Sequence, residues 1–355
     1  MKSLFPLGLL LLLSALLSPG CESVPPQATP AAEESTPPPL GTFSAERALA
    51  DDVALAERRA QAGDGSYAEL RRDVAAQLAA TKLVVETIET PGVQDASTGV
   101  AASRSWSQLV ATAPGASPDL FVLVARLAEA GPPQSGEALR EEVSGAALLL
   151  ELARVLSTRT LPYTTRFVWV EGDGRASGDG EGSVGGELSG SSALLASWKA
   201  RGDLDRIRLL VALGRVCRDD LRIARDLRSS RVHRENFYEA AVRAGRVSTF
   251  PRSQEYESVD ASHLAFRSAG VRPIVALTAT SGVPFEGHTC TAQSLDAVGV
   301  VTLEALNAIG TTLAKIDRFA RAPLASPGES TAPPATTTPA QPTEAVPYGP
   351  EPANP

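Results

Sequence analysis

The sequence predicts an α/β domain with a largely parallel central sheet and helices on both faces. Two observations predict it. Short, near-continuous Val/Leu/Ile runs recur along the chain, as strands buried on both faces of a sheet require. Between them lie longer segments with apolar residues at helical spacing, the alternation that builds a covered parallel sheet.

The elements follow in chain order. Ala45, Leu49, Val53 and Ala56 recur at near-helical spacing, as do Leu70, Val74 and Leu78. Gly63-Asp64-Gly65-Ser66 divides that stretch into two helices, with Ser66 as an N-cap. Residues 83–90 and 106–112 are rich in β-branched residues and read as strands. Residues 120–125 (LFVLVA) form a buried strand, 144–156 an apolar helix and 166–170 (RFVWV) a second buried strand. A helix over 192–200, a strand within 207–216 and a helix over 234–244 come next. A helix from 263 stops at Gly270, a strand covers 273–279, and a long terminal helix covers 295–319.

The two ends have a different character. Lys2, an apolar run from Leu4 to Leu17 and Ser18-Pro19-Gly20-Cys21 have the layout of a secretory signal, too short for a durable membrane span. The stretch resembles a bacterial lipoprotein signal, although Leu17 lies one place earlier than that pattern has it. The resemblance implies cleavage after residue 20 and a lipid on Cys21. Residues 21–42 are rich in Pro, Ala, Thr, Ser and Glu without apolar periodicity, and so are residues 322–355. Such segments cannot bury enough apolar surface to offset their ordering entropy. The expected organisation is a signal over 1–20, a lipidated tether over 21–42, one domain over 43–321 and a tail over 322–355. The expected location is the cell envelope. Glu22, rather than an aspartate, follows the cysteine, which favours the outer membrane.

A net charge of −8 over 355 residues argues against nucleic acid and against a polybasic membrane surface as partners. Three cysteines make no disulfide framework once Cys21 is set aside. Cys217 and Cys290 both fall in strand-end loops on one rim. A bridge between them would close part of that rim, and the sequence leaves their pairing open.

In sheets of this kind ligands bind beyond the C-terminal strand ends. The candidates are therefore residues 126–128, 171–174, 214–217 and 281–290. The segments SWSQLVATAPGASPDLFVLVARL, SGAALLLELARVL, LPYTTRFVWVEGDG, SGSSALLASW, VDASHLAFRSAGVRPIVAL and GHT, in that order, resemble one family. It is the zinc-dependent aminopeptidases and glutaminyl cyclases, metallopeptidase family twenty-eight. The similarity runs from about Phe43 to Phe319, and it implies a mixed, mainly parallel central sheet with helices on both faces, a three-layer sandwich.

The resemblance implies a two-zinc site with five side-chain ligands and a glutamate as general base. Carried over residue by residue, most of that set is missing. Arg126 stands at the first histidine, and a guanidinium has no lone pair for zinc. Glu141 stands at the bridging aspartate. Asp173 stands at the general base and Gly174 at the ligand beside it. Gly214 stands at the next aspartate, and His288 matches the last histidine. Ser262-His263 occupies a pocket position where the family often has Asp-His. Two remnant ligands, Glu141 and His288, are too few for a zinc site. Arg126 is placed to supply the lost metal charge by pairing with Glu141 or Asp173. The glycine-rich stretch that includes Asp173 reads as a solvated loop, and Arg225, Arg228, Arg231 and Arg234 read as solvent-facing.

The expected function is therefore non-catalytic: a lipid-anchored envelope protein using a peptidase-like domain for binding a peptide or protein, or for scaffolding, with no cofactor. The alternative is an active zinc aminopeptidase or glutaminyl-cyclase-like enzyme with a rearranged ligand set. A purely structural envelope role is a third reading, favoured if Arg126 and its neighbours fill the pocket.

Overall fold

Strands form where the apolar runs predict them, and the sheet is mixed and mainly parallel. The computed structural model describes residues 41–62, 67–90, 105–127, 136–173, 189–259, 262–281 and 287–321. The expectations for the signal, Cys21, the tether up to residue 40, the stretch from Gly174 to residue 188 and the tail lie outside these residues.

Six strands make the main sheet in the order β1-β2-β4-β3-β5-β8. They are β1 (Val84–Thr90), β2 (Trp106–Ala113), β3 (Gly115–Arg126), β4 (Leu161–Val170), β5 (Ile207–Leu213) and β8 (Ile274–Leu277). β1 and β2 pair antiparallel, as do β2 and β4, while the β4-β3-β5-β8 pairings are all parallel. Two-residue strands β6 (Arg225–Asp226) and β7 (Tyr256–Glu257) form a separate parallel pair.

The two-residue period of a strand sorts side chains between two cores. Phe121, Leu123 and Ala125 of β3 join Trp169 of β4 and Val211 of β5 in the larger core. That core is covered by α1 (Ala45–Ala62), α2 (Tyr67–Leu78), α3 (Glu137–Leu156), α5 (Arg231–Arg243) and α7 (Ala292–Arg321). Leu120, Val122 and Val124, the alternate residues of β3, pack on the other face. There they meet Leu194 and Trp198 of α4 (Ser189–Ala200) and Phe266 of α6 (His263–Ser268). α7 is long and apolar enough to cross a bilayer by length and composition. In the domain it packs against α1, α5 and β4 as a core helix.

Two elements begin earlier than their apolar pattern. β3 starts at Gly115 because the register shift between Ser117 and Leu120 takes up Pro118, which cannot donate to a ladder. α3 starts at Glu137, seven residues before the apolar run, although its first turns are charged. Those charges are paired, and Glu141 and Glu142 are buried. Arg140 Nε lies 3.0 Å from Asp52, and Glu142 lies 3.5 Å from Arg59. An amphipathic pattern cannot show a face that buries ion pairs.

Candidate functional site

The C-terminal ends of β3, β4, β5 and β8 and the first turns of α3 carry the expected site residues. The structure divides them among three clusters.

The first cluster surrounds Asp173. β4 ends at Val170, and Gln108 ties the chain beyond it by accepting from Glu171 N at 2.8 Å. Gly172 adopts φ +81° over the Trp106 ring, where a Cβ would lie 2.4 Å from a ring atom. Only glycine suits both conditions. Asp173 is fully buried, which corrects the expectation of a solvated loop at this position. Its carboxylate accepts from Ser191 N at 2.9 Å, from the Ser191 hydroxyl and from Ser262 Oγ at 2.8 Å. Burial raises its pKa, opposed by the nearby Arg126 charge and by these hydrogen bonds. Arg126 therefore acts on Asp173, one of the two acids proposed for it. Both oxygens of the buried carboxylate are engaged in these hydrogen bonds.

The second cluster surrounds Glu141, on the first turns of α3. Its partner is Arg218, whose Nη1 lies 3.7 Å away, with both side chains almost wholly buried. Arg218 Nε also lies 2.8 Å from Asp220. His288 Nδ1 is 2.8 Å from Asp219 and 3.2 Å from Asp220. A hydrogen bond from His288 holds the Asp219 carboxyl below its usual range. Glu141 and His288 are thus linked through Arg218 and Asp220. Cys217 and Cys290 are joined by a disulfide, which settles the pairing and clamps the loops bearing Arg218 and His288 together. Behind it, Asp52 lies 3.1 Å from Cys290 Sγ, and burial pushes its pKa to about 7.

The third cluster is separate. His263 is fully buried with Nε2 3.2 Å from Asp226 Oδ2, so it faces the interior rather than a pocket. Burial pushes the Asp226 carboxyl up, but the His263 imidazole and Ser229 hydroxyl outweigh it, and the net shift is downward. Adjacent residues thus serve different acids: Ser262 serves Asp173 and His263 serves Asp226.

The family resemblance implies zinc, and the side chains at these positions do not suit it. Arg126 offers no lone pair, and Arg218 already matches Glu141. At Gly214 a Cβ would lie 2.6 Å from Thr278 Oγ1, so the space for a ligand side chain is filled. The family's metal site does not fit these residues. Gly174 lies outside the described residues. Among the described residues, two other groups bring three potential donor side chains together. Asp52, Cys217 and Cys290 form one, but its cysteines are oxidised; Asp219, Asp220 and His288 form the other, with ligand atoms within 4.8 Å of one another at the surface. The second group borders a cavity of about 750 Å³ that Arg218, Arg222, Glu255 and Glu257 also line.

Arg218 and Asp226 were not visible as site residues in the sequence. Their only signal was position: Arg218 follows Cys217 just beyond a strand end, and nothing local pointed to Asp226. Arg225 and Arg234 are half-buried rather than solvent-facing, and both guanidinium groups stack on Tyr256.

Solved structures share this architecture. A glutaminyl cyclase from an Acidobacteriales bacterium aligns at 19% identity with a TM-score of 0.60, covering 80% of this chain and 100% of that one. A leucine aminopeptidase precursor from Bacteroides thetaiotaomicron aligns at 16% identity and 0.60, covering 75% and 98%. A Zn-dependent exopeptidase from Parabacteroides distasonis aligns at 15% identity and 0.60, covering 75% and 99%. The chain has the fold of glutaminyl cyclases and zinc-dependent exopeptidases. No protein-family model and no curated protein sequence matches it. The exopeptidase fold accounts for the strand-end position of the first two clusters, and at these identities it speaks for the fold alone.

Proposed function

We propose that this chain is a non-catalytic envelope protein that uses an exopeptidase fold to bind a peptide or protein. The observation that carries the reading is the Glu141–Arg218 pair, buried at 3.7 Å. A guanidinium supplies the positive charge that a bridging metal would otherwise bring to that acid. At Asp173, the acid at the general-base position, Arg126 supplies a positive charge and two serine hydroxyls donate hydrogen bonds. The cavity of about 750 Å³ beside Arg218 is the place for a ligand. Asp219, Asp220, Glu255 and Glu257 on its wall favour a ligand with basic groups. The lipid on Cys21 would hold the domain at the outer membrane.

The test is metal content with activity. Protein loaded with zinc and dialysed should retain well below one zinc per chain. It should neither release N-terminal residues from peptides nor cyclise N-terminal glutamine. One tightly held zinc with turnover would overturn the reading. Replacing Cys21 with serine should move the protein from the membrane fraction to the soluble fraction.

A second reading rests on the surface trio of Asp219, Asp220 and His288, whose ligand atoms are close enough for one divalent cation. Here the expected zinc is one per chain, and Asp219→Asn with Asp220→Asn abolishes it.

A further inference from the structure

One face of the domain has a charge opposite to that of the chain. The segment 224–230 runs along the free edge of β8. Ala224 N donates to Thr278 O at 2.9 Å, Ala276 N to Ser229 Oγ at 2.9 Å, and Ser230 N to Ile274 O at 2.7 Å. Arg267 Nη1, on α6, donates to Arg228 O at 2.7 Å. These bonds pack residues 227–234 beside residues 262–274. Together the two segments hold five arginines and no aspartate or glutamate, although the whole chain carries a net charge of −8. Arg234 is half-buried and donates to Asp226 O and Ser229 O. Arg228, Arg231 and Arg272 are exposed, and Arg267 is half-exposed. Three nearby acids are already engaged: Asp226 faces His263, Glu235 pairs with Arg252, and Glu257 accepts from Ser281.

Two aliphatic side chains stand among these arginines. Leu227 is 57% exposed and Val232 is 66% exposed. A surface that exposes Leu and Val between guanidinium groups matches the chemistry of a bilayer interface. Phosphate head groups pair with arginine there, and aliphatic side chains enter the acyl boundary. A soluble polyanion would use the arginines but leave Leu227 and Val232 without a role.

We infer that the face formed by Leu227, Arg228, Arg231, Val232, Arg267 and Arg272 docks on an anionic phospholipid bilayer. The whole-chain charge conceals this surface, because the acids lie elsewhere. The inference does not depend on a lipid at Cys21. If that lipid is present, the face supplies the second signal that stable anchoring requires, since one acyl chain alone binds reversibly.

The test uses residues 22–355, which contain every described residue and lack the apolar leader. Vesicles of phosphatidylglycerol and phosphatidylcholine are compared with vesicles of phosphatidylcholine alone. Sedimentation should occur with the anionic vesicles only and should weaken as salt is raised. Arg228→Ser with Arg231→Ser should lower partitioning about thirty-fold, from the worth of each arginine near an anionic surface. Arg228→Lys with Arg231→Lys should retain most of it, which separates charge from misfolding. Leu227→Ser with Val232→Ser should weaken vesicle binding and leave binding to soluble polyphosphate unchanged. Equal binding by the serine-for-arginine variant and the parent would overturn the inference. So would binding to polyphosphate without binding to anionic vesicles.

Discussion

Glu141 and Asp173 are two acids near the C-terminal strand ends, and the fold buries them by different means. Asp173 lies among short neutral donors, two serine hydroxyls and a backbone N–H, with the Arg126 charge beside it. Glu141 faces a guanidinium at 3.7 Å, held on a loop that the disulfide clamps to the loop bearing His288. The hydrogen-bonded acid is secured by neighbours on α4 and at the start of α6. The ion-paired acid depends on a distant covalent link. Charge pairs are long-range and costly to break, whereas hydrogen bonds are local and individually modest. Mutations on the two sides should therefore differ in size.

The largest effect is expected from the clamp. Cys217 and Cys290 are 73 residues apart, and a loop of that length implies about 4 kcal/mol of stabilisation through the unfolded chain. Cys217→Ser with Cys290→Ser should show that loss in urea denaturation. No loss would mean that the Arg218 loop holds itself in place. Next comes Arg218→Ala, which removes the cation facing a buried carboxylate and should cost about 3 kcal/mol. Adding Glu141→Gln to it should recover part of that loss, and an additive result would show that the two side chains are not coupled.

The third prediction concerns pH on the clamped side. Burial raises Asp52 from 3.8 to about 7, so between those values the native state binds more protons than the unfolded chain. Stability should therefore fall as pH rises through this window, by up to about 1.4 kcal/mol per pH unit. Asp52→Asn should flatten that slope in a series of denaturation curves. A variant with the parent's slope would assign the titration to another group. Asp173 is raised too, so its contribution has the same sign. The smallest effect is expected from Ser262→Ala, about 1 kcal/mol, because Ser191 still serves Asp173. A loss as large as that of Arg218→Ala would remove the contrast between the two sides.

The sheet was legible in the sequence because its buried strands are plain apolar runs, as in residues 120–125 and 166–170. The helices on the apolar cores were legible for the same reason. The first turns of α3 were not, since Arg140, Glu141 and Glu142 look solvated until Asp52, Arg218 and Arg59 are seen against them. The two-residue strands β6 and β7 carry too short a pattern to read. At the site, sequence order located Glu141, Asp173 and Gly214 at strand ends and helix starts. It could not reveal Arg218 or Asp226, because each partner comes from a segment far away along the chain. The charge count hid the arginine-rich face, since a sum over the chain carries no position.

The contact at Gly214 closes a route. An aspartate there would bring its Cβ to 2.6 Å from Thr278 Oγ1. A single substitution meets a clash before it can meet a metal, and a smaller residue at position 278 would have to come with it. Arg126 and Arg218 would also have to go, each exposing an acid that now depends on it. Building a metal centre at these positions would meet a cost at every separate step. The two arginines and the threonine act as three independent barriers to one.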